Sequence, residues 1–224
     1  GLIKLMMKIC LILKKGKSHN QKVINLLKKN KQLSLDIFFS KVGTKIPNKL
    51  KKNKYDMIIS YLSAWILSNK ILNRTKYFNI NFHPGPPKYP GIGCFNFALY
   101  NNEKFYGVTM HEMSKIVDSG KIIKTKYFPI KKMNLLQLIE KSYESMFSVF
   151  KKEIPKILKS KKLIYSKQKW KRKAYTRKNF VELCKLYLNM SPQKIANKLA
   201  AIYHPDFPDP IIKYKNKVFK IKPL

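Results

Sequence analysis

Short apolar runs alternate with a helical pattern over the first part of the chain. Residues 7–13, 35–39 and 55–61 are apolar runs of the length that buried strands have. Between the first two runs, residues 18–30 carry apolar side chains at helical spacing, which predicts a crossover helix. This alternation predicts an α/β fold with a mostly parallel sheet and helices on both faces. Ligands of such sheets bind beyond the carboxyl ends of the strands.

One predicted strand in the middle of the chain presents polar side chains. The elements predicted in this region are strands at residues 78–83, 106–113 and 121–130, a turn from 71 to 77 and a helix at 94–100. In the first of these strands Asn81 and His83 share one face, because side chains on a strand repeat every two residues. The Pro-Gly-Pro-Pro sequence at residues 84–87 cannot continue a strand or a helix. We therefore expect a site where the backbone leaves the sheet.

The last third of the chain predicts a long helix followed by a small appendage. Asn134 is a predicted N-cap, and an apolar stripe after it predicts a helix that covers the sheet. Pro155 is expected to kink or end this helix near its last turn. The sequence of residues 161–224 predicts a basic linker, helices at 178–188 and 192–201, and a hairpin at 211–221 that turns around Lys215-Asn216. We therefore predict a main domain of residues 1–160 and a C-terminal subdomain of residues 161–224.

The chain is strongly basic, with a formal net charge of +37. Phosphate backbones attract lysine and arginine, so nucleic-acid binding has to be weighed. Only Arg74, Arg172 and Arg177 are arginines, and the lysines are scattered over the whole sequence. A dedicated nucleic-acid surface concentrates its charge and uses the fork geometry of arginine. We interpret the lysines as mainly solvated surface that keeps some attraction for anionic substrates.

Several other classes of protein are not favoured. Cys10, Cys94 and Cys184 are far apart and odd in number, which predicts neither a disulfide framework nor a metal site and fits a reducing cytoplasm. No apolar run reaches the length of about 18 residues that a membrane span needs, and no signal peptide is expected. The sheet is Rossmann-like, yet the segment after its first strand holds only Gly16. The glycine-rich loops that bind dinucleotides or ATP are therefore absent.

Four spaced motifs carry a resemblance to a known family. They are Asn-x-His-Pro-Gly at residues 81–85, Tyr-Pro-Gly at 89–91, Gly-Val-Thr-x-His at 107–111 and Val-Asp-x-Gly at 117–120. In combination they resemble the signature of the folate-dependent formyltransferases. The Gly-Ile-Gly-Cys-Phe-Asn sequence at residues 91–96, together with Pro-Gly-Pro-Pro, is similar to the nucleotide amino-sugar N-formyltransferase branch. That branch is related to the methionyl-tRNA and glycinamide ribonucleotide formyltransferases.

The resemblance implies a catalytic trio of Asn81, His83 and Asp118 within a catalytic domain of residues 1–160. Formyl transfer passes through a tetrahedral carbon with an oxyanion, which the Asn81 amide can face as a donor without changing its charge. His83 can take a proton from the attacking amine and give one to the leaving nitrogen. The Asp118 carboxylate can orient that imidazole or relay a proton through water. His111, at the end of the third motif, is interpreted as structural or supporting.

Each member of the trio also has a structural alternative. His83 alone can be a hydrogen-bonded core imidazole, and Asn81 alone can cap the loop that follows it. Asp118 alone can stabilise an Asx-turn with Gly120. Only their combination with the family motifs favours catalysis.

The resemblance also implies that 10-formyltetrahydrofolate is the formyl donor. The segment after the third predicted strand is similar to the strip that borders the pterin, so Trp65, Ile66 and Leu67, together with Val117, are the expected cofactor-binding residues. Backbone groups beside a flat heterocycle can pair with its donors and acceptors while apolar side chains exclude water. The alternative is that these are ordinary core residues after a strand.

The implied acceptor is the amine of a nucleotide-linked amino-dideoxy sugar, such as a dTDP- or GDP-4-amino-4,6-dideoxyhexose for surface polysaccharide (O-antigen) biosynthesis. Tyr89 and Asn96 are expected near the sugar. Lys171, Arg172 and Tyr203 are expected near the diphosphate and the base, because cations meet phosphates and aromatic rings stack on bases. The resemblance further implies a homodimer.

Two other functions stay open. A methionyl-tRNA formyltransferase-like enzyme shares the chemistry but carries a larger C-terminal nucleic-acid-binding domain than the residues after 160 provide. A non-catalytic basic protein with this fold would bind RNA or DNA in a salt-sensitive way and would have no folate affinity. The glycinamide ribonucleotide enzyme is disfavoured because its glycine-rich phosphate loop is missing here.

Overall fold

A six-stranded sheet forms the centre of the protein in the computed structural model, which describes residues 6–205 and 209–221. Its strands are β1 (Met7–Lys14), β2 (Leu33–Ser40), β3 (Met57–Tyr61), β4 (Phe78–His83), β5 (Phe105–Glu112) and β6 (Ile122–Pro129). They lie in the order β2-β1-β3-β4-β5-β6. The first four strands of this order are parallel, and β5 and β6 pair antiparallel. The predicted mostly parallel α/β sheet is confirmed.

Helices surround the sheet and a hairpin follows them. The helices are α1 (Asn20–Lys28), α2 (Asn48–Lys52), α3 (Asn69–Leu72), α4 (Cys94–Tyr100), α5 (Leu135–Ser160), α6 (Arg177–Cys184) and α7 (Pro192–Ile202). The strands β7 (Ile211–Tyr214) and β8 (Lys217–Lys220) pair antiparallel around Lys215 and Asn216, as predicted. Residues 1–5, 206–208 and 222–224, which belong to the ends and the tail of the two predicted domains, lie outside the described residues.

The two faces of the sheet bury different sets of side chains, because β1 alternates between them. Ile9, Leu11 and Leu13 pack with α1 and α5. Cys10 and Ile12 face the opposite way and pack with α2 and α3. Burying each large side chain stabilises the fold by about 1.5–3 kcal/mol. Helices therefore cover both faces, as the sequence predicts.

The long helix α5 begins where the sequence predicts and continues past Pro155. The Asn134 side chain accepts from the Gln137 N–H, and the Gln137 side chain accepts from the Asn134 N–H, which closes a capping box. Pro155 does not end the helix, which continues to Ser160. Ile154 and Ile157 are both buried on either side of the proline. Packing of these side chains holds the helix through the position where a backbone bond is lost.

Three local elements differ from the sequence-based expectation. The polar connection of residues 41–54 contains the short helix α2, whose Leu50 is fully buried. The predicted turn of residues 71–77 includes the end of α3. The helix predicted at 178–188 stops at Cys184, and Leu186 then forms a bridge with Ile212 of the hairpin. In each case tertiary packing overrides a weak local pattern.

Residues 161–176, which we call the strap, begin the predicted C-terminal subdomain and form hydrogen bonds with the main domain. The Ser166 N–H donates to Ile122 O, and the Lys171 N–H donates to Pro87 O. Further along the chain, α7 packs on α4 through Ala201 and Ile202. The proposed division at residue 160 thus lies at the end of α5, and it stays a proposal.

Removing one core ring tests the packing between α5 and the sheet. Phe150 is fully buried and contacts the rings of Tyr61 and Phe82. Phe150→Ala is expected to lower the free energy of unfolding by about 3–5 kcal/mol, because it removes buried surface and leaves a cavity. Phe105, which is 62% exposed, supplies the control: Phe105→Ala is expected to change it by less than about 1 kcal/mol. Urea denaturation measures both, and equal losses would contradict this description of the core.

Candidate functional site

Polar side chains gather on one face of the sheet where β4 pairs with β5. Asn81 lies opposite His111, and His83 lies opposite Thr109. These positions alternate with Ile80 and Phe82, which point into the core on the other face. Asn79, two residues before Asn81, donates to Leu72 O, so this polar face is the one that α3 covers.

The carboxylate of Asp118 lies between two imidazoles. Its Oδ2 is 3.1 Å from His83 Nδ1, and its Oδ1 is 3.2 Å from His111 Nε2. The Gly91 N–H donates to Oδ2 at 2.8 Å. Asp118 is itself 8% exposed, so a buried carboxylate is held by three groups that stabilise its negative charge.

The loop that carries Asp118 turns back sharply onto the sheet. Asp118 has a φ of +45°, a left-handed conformation that aspartate adopts more readily than most residues. At Gly120 a Cβ would lie 1.8 Å from Glu112 O, so only glycine allows the loop to approach the end of β5 this closely. The last residue of the Val-Asp-x-Gly motif is therefore glycine because no side chain fits at this position.

Both ring nitrogens of His83 face acceptors. Nδ1 faces Asp118, and Nε2 donates to Tyr89 O at 2.8 Å. A Cβ at Gly85 would lie 2.6 Å from Nε2, so the glycine after Pro84 leaves room for this bond. The Thr109 hydroxyl donates to Gly85 O and fixes the loop from β5.

Asn81 reaches Asp118 through His111. His111 Nδ1 lies 2.9 Å from Glu112 O, and its Nε2 lies 3.2 Å from Asp118 Oδ1, so each ring nitrogen faces an oxygen. The same Nε2 is 3.0 Å from Asn81 Nδ2, an amide nitrogen that carries two N–H groups. Asn81, His111, Asp118 and His83 therefore form one continuous polar network.

Burial and charge act in opposite directions on the ionisable groups of this network. Burial lowers the pKa of His83, while Asp118 and the Tyr89 carbonyl oppose that shift and His111 adds to it. Burial by itself raises the pKa of Asp118, but His83, His111 and the Gly91 N–H outweigh it and hold that pKa well below its usual range. Asp118 is consequently ionised at neutral pH, and the His83 ring can both give and take a proton.

Of the residues expected to bind the cofactor, some are exposed and one is buried. Ile66 is 68% exposed and Val117, adjacent to Asp118, is 38% exposed. Trp65 is half-buried, and its indole N–H donates to the Thr44 hydroxyl. Leu67 is buried in the cluster on the α3 face of the sheet, so its side chain supports this region from inside.

Both residues expected near the sugar have buried side chains. Tyr89 is 1% exposed, its ring packs near Tyr106 and Tyr175, and its hydroxyl donates to Glu103. Asn96 is buried and donates to Ala201 O of α7. Neither side chain faces open space. The sequence pattern could not reveal this, because the covering residues lie far away along the chain.

The three residues expected near the diphosphate and base are in two places. Lys171 and Arg172 are exposed on the strap, and the Arg172 guanidinium lies 3.3 Å over the Tyr175 ring. Tyr203 instead lines a groove between α4, α7 and the start of α5. The structure therefore does not bring Tyr203 together with the other two.

Sequence reasoning missed some groups that shape the site. The Tyr89 carbonyl and the Gly91 N–H act through the backbone, and the Tyr-Pro-Gly motif marks their position without identifying these atoms. Trp170 comes from the strap, and its indole lies against both imidazoles. No local pattern signals that contact. His111, read as structural or supporting, lies directly in the network.

Other kinds of site find no support among the described residues. Burial raises the pKa of the Cys94 thiol to about 12, so it is not a thiolate at neutral pH. In the part of the chain that the structure covers, no group of three or more histidine, cysteine, aspartate or glutamate residues could hold a metal ion. Within those same residues no helix is long and apolar enough to cross a membrane.

Comparison with known sequences identifies a family model. Residues 14–147 match the model described as formyl transferase. The chain is 33% identical over 168 residues to the bifunctional polymyxin resistance protein ArnA of Wigglesworthia glossinidia brevipalpis, covering 71% of this chain and 26% of that protein. It is 30% identical over 174 residues to the methionyl-tRNA formyltransferase of Clostridium tetani, covering 77% and 55%. The chain thus aligns with about a quarter to about half of these relatives' length.

Solved structures share the fold over nearly the whole chain. A sugar N-formyltransferase from Shewanella sp FDAARGOS_354 superposes with a TM-score of 0.80 at 21% identity, covering 97% of both chains. An N-formyltransferase from Helicobacter canadensis, solved in complex with folinic acid and dTDP-3-aminofucose, superposes with a TM-score of 0.72 at 18% identity and covers 94% of this chain and 85% of its own. At these identities the likeness establishes the fold alone.

Neutralising the carboxylate tests the electrostatics of the network. In Asp118→Asn the pKa of His83 is expected to fall further, because the charge that raises it is removed while burial remains. Titration of the His83 ring by NMR measures this change. Glu112→Gln is the control, since that carboxylate bonds Tyr165 outside the network and its loss is expected to leave His83 unchanged. An unaltered His83 titration in Asp118→Asn would contradict the geometry.

Proposed function

Because this chain belongs to the formyl transferase family, we propose that it moves a formyl group from 10-formyltetrahydrofolate to the amine of a nucleotide-linked amino sugar. The observation that carries the proposal is the Asp118 carboxylate between His83 and His111, with Asn81 joined to the same network. Acyl transfer to an amine requires a hydrogen-bond donor for the oxyanion and a group that can take up and release protons. The Asn81 amide can supply the first, and the His83 imidazole beside the ionised Asp118 can supply the second.

The catalytic roles that we propose follow from the two changes in bonding. A carbon–nitrogen bond forms between the acceptor amine and the formyl carbon, and the bond from that carbon to the folate nitrogen breaks. We assign to an N–H of the Asn81 amide the hydrogen bond to the formyl oxygen as negative charge develops there. The acceptor amine loses one proton and the folate nitrogen gains one, so the reaction is balanced without any other reactant.

We assign the proton transfers to His83. In the charged ring the Nε2–H donates to the Tyr89 carbonyl, and we assign this proton to the leaving nitrogen. Asp118 stabilises the charged ring, and burial favours the neutral ring that can accept the amine proton. Asp118 therefore remains ionised and acts as a positioning group through both steps.

We propose that the folate donor binds at the surface beside Asp118. When bound, the folate supplies an activated formyl group. Ile66 and Val117 offer exposed apolar side chains, and the Ala64 N–H is fixed by the Ser40 hydroxyl so that the strip after β3 keeps its shape. We propose that this strip holds the pterin. The folinic acid present in the Helicobacter canadensis enzyme supports a folate ligand in proteins of this fold.

The acceptor is proposed from charge and from the relatives together. The strap carries many cations beside the network, among them Lys171 and Arg172, and a nucleoside diphosphate is anionic. The Helicobacter canadensis and Shewanella proteins are, by name, an N-formyltransferase bound to dTDP-3-aminofucose and a sugar N-formyltransferase. We propose a dTDP- or GDP-4-amino-4,6-dideoxyhexose as acceptor and O-antigen biosynthesis as its use. A cytoplasmic homodimer is part of the same proposal.

A methionyl-tRNA acceptor is the second candidate. The identity with the Clostridium tetani enzyme favours it, as does the density of cations on the strap. The chemistry at Asn81, His83 and Asp118 would be the same, and only the partner that brings the amine would differ. Strong dependence of activity on salt concentration would point to this acceptor.

Removing the proposed acid and base tests the mechanism. His83→Ala is expected to lower kcat about 10²- to 10⁴-fold, because it removes the group to which both proton transfers are assigned. Asn81→Ala is expected to lower it about 10²- to 10³-fold through the lost donor. Release of tetrahydrofolate in the presence of an amino-sugar nucleotide measures both rates. His204→Gln is the control and is expected to stay near the unmodified rate, with thermal unfolding recorded for all variants. Full activity of folded His83→Ala would contradict the proposal.

Changing the strap arginine tests how the acceptor binds. Arg172→Ala is expected to raise the KM for the nucleotide sugar about tenfold with little change in kcat, as the loss of one charge-assisted hydrogen bond of about 1.5 kcal/mol implies. Arg172→Lys keeps the charge and loses the stacking on Tyr175, so its KM is expected to lie between that of the unmodified protein and that of Arg172→Ala. Lys167→Ala, an exposed cation on the same strap, is the control for net charge. Equal effects of Arg172→Ala and Lys167→Ala would refute a specific contact.

A further inference from the structure

The strap is attached to both loops that build the site. The Ser166 N–H donates to Ile122 O at the start of β6, and the Lys171 N–H donates to Pro87 O in the loop after His83. The backbone of Tyr175 then exchanges two bonds with the next part of that loop, accepting from Ile92 N–H and donating to Pro90 O. At Gly91 a Cβ would lie 2.3 Å from Tyr175 O, so glycine permits this close contact. The strap therefore lies directly against the polar network.

Trp170 is the strap residue that touches the network. Its ring meets His111 edge-on, with centroids 5.0 Å apart and an angle of 90°, and meets His83 at 5.8 Å and 68°. Its indole N–H donates to Gly120 O at 2.8 Å. One side chain thus contacts both imidazoles and the loop that carries the carboxylate between them.

These contacts are not those of an ordinary core residue. Trp170 is half-buried, and it packs into none of the hydrophobic clusters formed by the described residues. Its neighbours Lys169 and Lys171 are exposed. The side chain points inward from a solvated segment, and the groups it covers are polar.

We propose that Trp170 is a positioning residue of the site: it closes the outer side of the His83–His111 pair and holds the Asp118 loop through Gly120. The proposal rests on the proposed formyl transfer for its effect on rate. The C-terminal segment then covers a polar network whose members, Asn81, His83, His111 and Asp118, all come from residues 81–118. Trp170 contacts no reacting atom and acts only through these neighbours.

The physical reason concerns water and the mobility of the loop. The loop before Gly120 is exposed at Ile116 and Val117. At its end, the Gly120 carbonyl accepts a hydrogen bond from the Trp170 indole N–H on the strap. Without that bond, Asp118 is less firmly held between the two imidazoles. Without the ring, water reaches the His83–Asp118 pair and weakens it, because charges interact less strongly in a higher dielectric. Misplacement by about 1 Å is enough to cost about 10²-fold in rate.

Two substitutions separate the ring from the hydrogen bond. Trp170→Ala removes both, whereas Trp170→Phe keeps an aromatic cover and removes only the donor to Gly120. Tyr165→Phe is the matched control, since Tyr165 is an aromatic residue on the same strap whose hydroxyl donates to Glu112 and whose ring lies away from the imidazoles. Thermal unfolding is recorded for all three, so that folded variants are compared.

The first measurement is an NMR titration of His83 in the protein without substrates. The groups that face this ring are Asp118, His111 and the Tyr89 carbonyl, and none of them is altered in these variants. In Trp170→Ala the pKa of His83 is expected to rise toward its ordinary value. Loss of burial raises this pKa, and that effect is expected to exceed the decrease caused by a weaker ion pair with Asp118. Trp170→Phe and Tyr165→Phe are expected to titrate like the unmodified protein. This measurement does not depend on knowing the reaction.

The second measurement is kinetic. In Trp170→Ala kcat is expected to fall about tenfold to a hundredfold with a smaller change in either KM, and the acid limb of the pH profile is expected to move with the His83 pKa. Trp170→Phe is expected to recover part of the loss, and Tyr165→Phe to lose nothing. Unchanged titration and unchanged kcat in folded Trp170→Ala would overturn the inference. If that variant fails to fold, a kcat of Trp170→Phe equal to that of the unmodified protein would do so.

Discussion

The structure depends on one buried carboxylate that lies within hydrogen-bonding distance of two imidazoles. Asp118 carries a negative charge in a place where burial alone would neutralise it, and His83, His111 and the Gly91 N–H compensate. A charge buried without partners would cost several kcal/mol, so each of these groups has to be in position for the fold to tolerate it. The same arrangement fixes the orientation of His83 and connects Asn81 to it through His111.

The glycines of the motifs are explained by this constraint. Gly120 lets the Asp118 loop approach the end of β5, and Gly85 leaves space for the bond between His83 and the Tyr89 carbonyl. Gly91 supplies an N–H to the carboxylate and, lacking a Cβ, permits contact with Tyr175 of the strap. Both loops around the network are therefore shaped by close approaches that any larger residue would prevent.

The sequence predicted the elements whose evidence is local. The strand with Asn81 and His83, the N-cap at Asn134 and the hairpin around Lys215 follow from periodicity and turn chemistry, and the structure has them. The burial of Tyr89 and Asn96 has no local signal, because Tyr175 and α7, which cover them, are distant in sequence. Pro155 was judged by its lost backbone bond, whereas packing of Ile154 and Ile157 decides the outcome. Trp170 has no local signal, since only the folded chain brings it to His83 and His111.

Product analysis with the unmodified protein tests the central claim most directly. The protein is incubated with 10-formyltetrahydrofolate labelled with ¹³C in the formyl group, and the acceptors are a panel of dTDP-, GDP- and UDP-linked amino sugars and methionyl-tRNA. Mass spectrometry of each acceptor is expected to show one labelled formyl group on the amine of a nucleotide sugar. Label on methionyl-tRNA alone would show that the acceptor is methionyl-tRNA and not a nucleotide sugar, and the proposed chemistry of the Asp118 network would remain. No labelled product from any amine, with folate intact, would contradict the account as a whole.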